Sequence, residues 1–531
     1  MNLRENLRLN SIIQMGAVLA IVALANDISQ NHYTRFDLTE SRVHTLSPTA
    51  QSLINQLDRP LTVKVFFTGG LEAPYNNHER IFLDKLEEFQ AWSNGKITVE
   101  VVDPTSPVIE IDEEGNEQRT TREAEAMRLG VMPIQYRYRD QTRTEVRQVF
   151  MGAVFLYGEG QEVLPAITNI GGFEYDIARA IKRLVDPEPK RIGYTTGHGE
   201  PDLSTADGPV ETLRNQLSDD NKILVPVELS NPGDSLLDID ALLVVGPQTE
   251  LSQRELFELD QYIMGGGATG FIMSNYIPTP QVEVVAINHG MTDTIANLGV
   301  GLNRDLVLDR ETNGKLPIPV RRGRYTTQMA VNNPVIPIVN DLSISSPIFR
   351  GMDNLTLPFL SSLTVADNSA DVEYDVLARS SESSSTSMTV RRIDPYTLGA
   401  DSSNGPIEEP GSVPVAVALR GSFTSIFSES GVPDPEPHED PSIFVRESAP
   451  TRSVVIGSTH FVANNIPAMM NLIDWLVQDA DLIGIRVKSL QIPALDPLEP
   501  SDLRTIKLAN LLAPSLLLLL FGAARAYRRR R

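Results

Sequence analysis

The 531-residue sequence contains no cysteine. Disulfide bonds, thiolate metal sites and cysteine nucleophiles are therefore excluded. The absence of cysteine fits an exported domain but does not establish export. Whatever stabilises this chain must come from packing, hydrogen bonds and charge.

Positive charge is scarce: 46 Lys and Arg face 69 Asp and Glu, which gives a formal net charge of −23. Phosphate groups would be repelled, so nucleic acid is not expected as a partner. With 41% hydrophobic and 22% charged residues the chain is close to the globular average, which excludes a disordered chain and a polytopic membrane protein. The length favours two to four domains.

Motifs of common enzymes are also missing. There is no Gly-x-x-x-x-Gly-Lys-Ser/Thr loop, so the chain cannot be an ATPase of that class. A Gly-x-Ser-x-Gly nucleophile elbow is absent, and zinc deaminases need cysteines that the chain lacks. We therefore predict a protein that is not an enzyme, with no catalytic residues, no metal and no cofactor.

Leu9 to Asn26 form an uncharged stretch that follows Arg4 and Arg8. At about 1.5 Å per residue such a helix reaches roughly 27 Å, just enough to cross a bilayer. A cleaved signal peptide is the rival interpretation, because residues 23–25 read Ala-Leu-Ala. We favour an uncleaved anchor because of a second apolar stretch at the other end.

That second stretch, Leu508 to Ala524, contains five leucines and a phenylalanine in a row and is followed by five arginines in residues 525–531. A buried core helix is the alternative. The positive-inside tendency predicts both termini in the cytoplasm and the bulk of the chain outside it. The sequence thus predicts two transmembrane helices, a lipid bilayer as partner and the bacterial inner (cytoplasmic) membrane as location.

Residues 61–157 read as strand, helix, strand, helix, strand, strand, with the first helix at His78–Ser93 and the last strand at Glu145–Tyr157. This order resembles a thioredoxin-like domain, and the turn Gly130–Pro133 stands before the third strand, where that fold commonly has a cis-proline. Because cysteine is absent, such a domain would be a scaffold or a binding module without a redox role.

From Arg191 onward, strands such as Arg191–Thr195 and Ala241–Val245 alternate with helices, which predicts a doubly wound parallel sheet. Short strands with many Pro, Ser and Gly between about 317 and 444 predict a β-rich insertion. The fold class is therefore α/β, flanked by two transmembrane helices. The predicted domains are a membrane anchor, a thioredoxin-like domain, a doubly wound domain with its insertion, and a linker with the second span and an Arg-rich tail: 1–27, 28–160, 161–490 and 491–531.

A Gly-His-Gly-Glu turn at residues 197–200 follows the first strand of the second unit. Ligands of open α/β sheets bind at the carboxyl ends of strands. His198 and Glu200 could supply a metal ligand and a base. The alternative is a polar structural turn in which Gly197 and Gly199 permit a tight backbone and the His198 and Glu200 side chains bond to neighbouring backbone groups. The residues 198–200 therefore form either a ligand-binding or a structural turn.

Several short motifs occur in a defined order along the chain: Arg35-x-Asp37-Leu38-Thr39, Leu46-Ser47, residues 197–200, Asp238 with residues 241–247, Asn471-x-x-Asp474-Trp475-Leu476 and Ile485-Arg486. In order and spacing they resemble the GldG-type auxiliary components of ABC transporters, from about residue 35 to 490. One departure is the turn at 457–460, which reads Gly-Ser-Thr-His where relatives often carry an acidic Gly-Asp-Ser-Asp-like sequence.

The resemblance implies a non-enzymatic auxiliary subunit whose large extracytoplasmic region works beside a separate ABC permease and ATPase. It also implies an amidotransferase-like sheet without catalytic residues and, in some bacteria, an association with gliding motility. The runner-up hypothesis is a cell-envelope hydrolase or metalloenzyme that uses His198 and Glu200. A structural or adhesion protein of the envelope is a third.

Overall fold

The computed structural model describes residues 45–477 except 74, 112–116, 140–143, 169, 206, 231–235, 280–282, 323, 344–345, 369–370, 391, 394–409 and 436–443, together with Lys507, Leu512 and Gly522. This part of the chain is mixed α/β and mostly sheet. Two sheets organise it: a four-stranded sheet in the first unit, residues 45–185, and an eight-stranded sheet in the second unit, residues 186–477.

The first helix begins where the sequence places a cap. The Ser47 side chain accepts a hydrogen bond from the Ala50 backbone N–H, and Pro48 takes the first helical position, where its missing N–H costs nothing. The elements up to residue 185 are the helices Pro48–Gln56, His78–Trp92, Glu123–Arg128 and Phe173–Val185, the 3₁₀ turn Ile170–Gly172, and the strands β1 (Leu61–Phe67), β2 (Ile97–Val102), β3 (Pro107–Ile111), β4 (Glu117–Thr121), β5 (Ile134–Arg139), β6 (Thr144–Val149), β7 (Met151–Tyr157) and β8 (Gly160–Leu164).

The four-stranded sheet has the order β2-β1-β7-β8. β1 pairs with β2 in parallel, through the helix His78–Trp92, and with β7 in antiparallel register. Val63 and Val65 of β1 are fully buried and pack in one cluster with Phe82 and Phe89 of that helix. The alternation of buried residues in β1 and the helical stripe of aromatic residues thus meet in one core.

One expectation for this unit is wrong in detail. The sequence suggests a single strand from Glu145 to Tyr157, but the structure divides it at Phe150. β6 pairs only with β5 in a separate hairpin, whereas β7 enters the sheet beside β1. The strand that follows the Gly130–Pro133 turn therefore lies outside the four-stranded sheet. The likeness of the unit to thioredoxin stays a prediction.

Beyond residue 185, the described helices are Pro209–Asp219, Gln253–Met264, Thr292–Asn297, Phe461–Asn464 and Ile466–Leu476, and the strands are β9 (Lys190–Thr196), β10 (Lys222–Glu228), β11 (Ala241–Val245), β12 (Ala268–Ile272), β13 (Tyr276–Pro278), β14 (Val284–Ala286), β15 (Val300–Leu302), β16 (Leu306–Asp309), β17 (Asn313–Arg322), β18 (Tyr325–Val339), β19 (Asp341–Leu342), β20 (Leu355–Thr356), β21 (Leu363–Val365), β22 (Val372–Arg379), β23 (Ser384–Ser387), β24 (Pro414–Gly421) and β25 (Thr451–Ile456).

The eight-stranded sheet has the order β10-β9-β11-β12-β25-β24-β22-β19. The first five strands are parallel, and β24, β22 and β19 extend them in antiparallel register. The expected parallel sheet is thus corrected to a mixed sheet, since strands from the region expected as an insertion complete it. β11 and β12 are buried along their whole length because helices pack on both faces of the sheet.

The expectation of a fold flanked by two transmembrane helices, and of a location in the bacterial inner membrane, is also corrected. Among the described residues no helix is long and apolar enough to cross a bilayer. The longest of these, His78–Trp92, has 15 residues and carries charges along its length, whereas a span needs about 20 mainly apolar residues. The stretch 9–26 and all but two residues of the stretch 508–524 lie outside the described part of the chain.

Candidate functional site

The carboxyl ends of β9 and β11 form the switch point of the eight-stranded sheet. The chain passes from β9 outward to β10 and then returns to β11 on the other side of β9. The loops that follow β9 and β11 therefore leave the sheet side by side. This is the place where open α/β sheets usually bind ligands.

The turn after β9 folds back on itself. The Glu200 carboxylate accepts a hydrogen bond from the backbone N–H of His198 at 2.6 Å. Gly199 has a φ of +83°, and a Cβ atom there would approach the Gln248 side chain at 3.3 Å. Glycine is required at this position both by the backbone conformation and by the close approach of the next loop.

Gln248, from the loop after β11, fills the space beside this turn. Its backbone N–H donates to the His198 carbonyl oxygen at 2.8 Å, and its side-chain amide donates to the Gly199 carbonyl oxygen at 2.7 Å. The backbone N–H of Thr249 also donates to the His198 carbonyl oxygen. The two loops at the switch point are thus tied together, and the Gln248 side chain packs against the backbone of the turn.

The His198 imidazole turns toward Glu255, and the two side chains are mostly buried. Nε2 of His198 lies 3.4 Å from Oε2 of Glu255, which makes an ion pair when the imidazole is protonated. Glu255 belongs to the capping box of the helix Gln253–Met264, where its carboxylate accepts from the backbone N–H and the hydroxyl of Ser252, each at 2.7 Å. His198 therefore contacts a carboxylate that already caps a helix.

His198 and Glu200 thus share one turn, but the residues that hold it come from elsewhere. Gln248 and Glu255 lie about 50 residues further along the chain and were not identified from the sequence. Of these two residues, only Glu255 could have been identified from the sequence, because Ser252 and Glu255 have the spacing of a capping box. Among the described residues no group of three or more His, Asp or Glu side chains could hold a metal ion.

The turn after β25 packs against the loop after β11. Gly246 has a φ of +54°, and a Cβ atom there would lie 2.3 Å from Cγ2 of Thr459. The Ser458 hydroxyl donates to the Pro358 carbonyl oxygen at 2.6 Å, and the His460 ring packs 5.1 Å from that of Phe359. Burial lowers the pKa of His460. This turn is neutral and closely packed.

A buried polar network follows β12, and no sequence motif indicates it. His289 accepts from the Met291 backbone N–H through Nδ1, so Nε2 carries the proton and donates to Oδ1 of Asn275 at 3.1 Å. The Asn275 amide in turn donates to the Asn303 carbonyl oxygen at 2.8 Å. Burial, together with the Arg304 charge, lowers the pKa of His289 to about 4. The imidazole is therefore neutral at pH 7.

Comparison with known proteins gives a match over much of the chain. Residues 189–479 match the family model described as ABC-type uncharacterized transport system, and residues 40–156 match a domain of unknown function, DUF7088. An uncharacterized protein of Borreliella burgdorferi is 20% identical to this chain over 98% of its length and 99% of the relative's.

Two solved structures show weaker likeness. The mmIFT52 N-terminal domain is 13% identical, with a TM-score of 0.31 over 54% of this chain and 97% of its own. The exo-β-1,4-mannosidase Op5Man5 from Opitutaceae bacterium strain TAV5 is 11% identical, with a TM-score of 0.22 over 62% of this chain and 40% of its own. Scores this low carry no argument about fold or function.

Proposed function

Because the family model spans more than half of its length, the chain belongs to the family of ABC-type uncharacterized transport systems, and we propose that it serves such a system as a non-enzymatic auxiliary subunit. The observation that carries the proposal is the extent of the match. Residues 189–479 include every strand of the eight-stranded sheet and the helices on both of its faces.

We further propose a separate permease and a separate ATPase as partners. ATP-driven work needs a phosphate-binding loop, and the sequence has no Gly-x-x-x-x-Gly-Lys-Ser/Thr motif. The energy for transport must then come from another subunit. In this proposal the chain binds or couples cargo, or a cell-envelope partner, to the transporter. The order of motifs from Arg35 to Arg486 supports the narrower assignment to the GldG type.

At the switch point we propose a structural or ligand-positioning turn and no turnover. Support comes from the engagement of both polar side chains: Glu200 closes its own turn, and His198 faces the carboxylate of a helix cap. A hydrolase would need an activated nucleophile or a metal-bound water near them. Gln248 occupies the adjacent space and bonds to the turn backbone instead.

Co-purification tests the proposed role. The tagged full-length chain, expressed in its own host and extracted gently, is expected to bring down one permease and one ATPase in constant ratio. ATPase activity is expected in the complex and not in the separated chain. A chain that purifies alone and supports transport without those subunits would contradict the auxiliary role.

Variants of the turn separate the structural from the enzymatic hypothesis. His198→Ala and Glu200→Ala are expected to keep partner binding within about fivefold, because each removes one contact within the turn or to the helix cap, worth about 1 kcal/mol. Arg310→Glu, at an exposed position of the same unit, is the matched control. If the purified chain hydrolysed a substrate and either turn variant abolished that activity, the enzyme hypothesis would replace ours.

A further inference from the structure

Two arginines lie directly opposite each other where β24 ends and β25 begins. Arg420 of β24 pairs with Arg452 of β25, and the two strands are antiparallel. Directly opposite residues have Cβ atoms about 5 Å apart, and like charges in such positions destabilise a sheet. Because Lys and Arg are scarce in this chain, 46 against 69 Asp and Glu, the pairing of two cations calls for an explanation. The transport role proposed above makes no use of it.

The ring of Trp475, in the last turn of the helix Ile466–Leu476, contacts both guanidinium groups. The guanidinium carbon of Arg420 lies 5.2 Å from the centroid of this ring, and the guanidinium carbon of Arg452 lies 5.1 Å from it. Cation–π attraction stabilises each group at such a distance. The indole is 3% exposed and packs in the core, so a fixed ring holds the two positive charges near each other.

The Arg452 side chain also binds the end of this helix. Its Nη1 donates to the Trp475 carbonyl oxygen at 2.9 Å. Carbonyl groups in the last turn of a helix have no partner within the helix, so this bond caps the helix end. A guanidinium group has five N–H donors, and the cap uses one of them. Arg452 is therefore held in place with further donors to offer, and Arg420 beside it is exposed.

Neither positive charge is neutralised within the described part of the chain. Glu373 of β22 lies opposite Arg420 in the strand register. Among the described residues, however, no carboxylate oxygen comes within 4.0 Å of either guanidinium group. Burial and the Arg420 charge lower the pKa of Arg452. The charged form of Arg452 is thus disfavoured where it stands, and a bound anion would relieve this cost.

We propose that Arg420 and Arg452 bind a phosphate group, either inorganic phosphate or the phosphate of a small phosphorylated molecule. Its charge of about −1.5 to −2 at pH 7 matches the two guanidinium charges, whereas a single carboxylate would neutralise one of them. Guanidinium N–H donors fit phosphate oxygens in bidentate geometry. The acidity of the whole chain disfavours long polyanions such as nucleic acid, but one phosphate meets only this local pair.

Trp475 supplies a signal at the site itself. The chain has two tryptophans, and the other, Trp92, is 51% exposed, so Trp92→Phe should fold and leave Trp475 as the reporter. This full-length variant is titrated with sodium phosphate and, separately, with glycerol 1-phosphate, against sodium chloride of equal ionic strength. We expect a saturable change in fluorescence with a Kd below about 1 mM for at least one phosphate probe, and none with chloride.

Equilibrium dialysis of the unaltered chain checks the same binding without the reporter. It should show one phosphate bound per chain at saturation. Tighter binding of glycerol 1-phosphate than of inorganic phosphate would identify a phosphorylated molecule as the ligand, and the reverse order would identify the free ion.

Three variants locate the site. Arg420→Gln, at an exposed position, should weaken phosphate binding at least tenfold. Glu373→Gln removes the carboxylate opposite Arg420 and should tighten binding about threefold, a gain that damage to the fold would not produce. Arg310→Gln removes an exposed charge elsewhere in the second unit and is the matched control, which should bind as the unaltered chain does. Circular dichroism of each variant separates lost binding from lost folding.

Four results would overturn the proposal. Neither phosphate probe binds with a Kd below about 1 mM; Arg420→Gln binds as tightly as the unaltered chain; or malonate binds more tightly than both probes, which would assign the pair to carboxylates. The fourth concerns Asp479 and Asp481, which follow Trp475 in the sequence and lie outside the described residues. Phosphate that bound only after both were replaced by Asn would show that the chain's own carboxylates occupy the pair. The inference goes beyond the transport role and is tested without a permease or an ATPase, so either can fail alone.

Discussion

His289 and Asn275 hold each other's orientation in the buried loops after β12. The imidazole has both ring nitrogens occupied, one accepting from the Met291 backbone and the other donating to the amide. A second proton would leave Nδ1 facing a backbone N–H donor and would place a charge near Arg304. The residue is therefore a neutral structural histidine.

Stability should fall in acid because of His289. Its pKa is about 4 in the folded chain against 6.5 ordinarily, so the unfolded state binds more protons between these values and the free energy of unfolding falls as pH drops from about 6.5 to 4. This difference in the pKa of His289 contributes about 3 kcal/mol to the free energy of unfolding at neutral pH. The His289→Gln variant keeps a hydrogen-bond acceptor and donor but does not titrate. Urea unfolding of this variant should therefore show no such fall in unfolding free energy between pH 6.5 and 4. Parallel pH profiles for the two chains would contradict the assignment.

Gly246 is predicted to be irreplaceable at the switch point. Gly246→Ala combines a φ of +54° with a contact of 2.3 Å to Thr459, so we expect a loss of about 3 kcal/mol in unfolding free energy. Gly95→Ala is the control, because its φ is +84° but nothing lies near the added Cβ, and it should cost about 1 kcal/mol.

The added variant Thr459→Ala should restore part of the stability of Gly246→Ala by removing the nearest atoms. Equal losses of unfolding free energy in the Gly246 and Gly95 variants would show that backbone strain alone accounts for the effect. The sequence predicted the turn at 197–200 but not this contact, because the chain separates residues 246 and 459 by more than 200 positions. Local patterns reveal conformations and caps, whereas such contacts depend on strand order.

Between elements, a buried ion pair joins β10 to the helix Ile466–Leu476. Nζ of Lys222 lies 2.8 Å from Oδ1 of Asp474, and neither side chain is exposed. β10 is an edge strand of the eight-stranded sheet, so the pair fixes that edge to the last described helix. Because both side chains are buried, each charge would be energetically costly without the opposite charge beside it.

Removing one partner should cost far more than removing both. Lys222→Met leaves the Asp474 carboxylate buried without its cation, and we expect a loss of about 3–5 kcal/mol in unfolding free energy. Lys222→Met with Asp474→Leu should recover most of it, since both charges are then gone. Urea unfolding of the two single variants and the double variant completes a double-mutant cycle. Additive losses would rule out a coupled pair.

The sequence predicted individual helices and strands better than it predicted how the strands pair. The helix beginning at His78 and strands near residues 191 and 241 occur close to their expected positions, because their apolar periodicity is strong. The division of residues 145–157 at Phe150 had no such signal. One uninterrupted run of strand-forming residues pairs first with β5 and then with β1, and periodicity does not reveal a change of partner.

At the scale of the whole molecule, the membership of a transport family was predictable and is confirmed, because it rests on motifs spread over the chain. The GldG assignment stays a prediction. The expected parallel sheet with a separate insertion was wrong, since β19, β22 and β24 complete the sheet edge. Hydropathy alone suggested two spans, whereas no helix of the described chain can serve as one.

Between the two parts of the molecule, the helix Phe173–Val185 contacts the end of the helix Pro209–Asp219. The Tyr175 hydroxyl donates to the Asp220 carboxylate at 2.6 Å, and Arg179 lies 3.6 Å from Asp219. Asp176 joins this group of carboxylates. Burial, aided by Asp220 and Asp219 and opposed by Arg179, raises the pKa of Asp176 to about 6.

Asp176 and His289 should give the molecule opposing responses to pH. Because the pKa of Asp176 is raised, its contribution is fully present below about pH 4 and is lost as pH rises through 6. The side chain is a third exposed, so we expect Asp176 to change the free energy of unfolding by about 1–2 kcal/mol.

Asp176→Asn should therefore be more stable than the unaltered chain at pH 7 and should lose more stability on acidification, because His289 then acts unopposed. His289→Gln should show the reverse slope, and Glu87→Gln, an exposed control, neither change. Urea unfolding between pH 4 and 7 measures all four chains, and a common slope for them would refute both assignments.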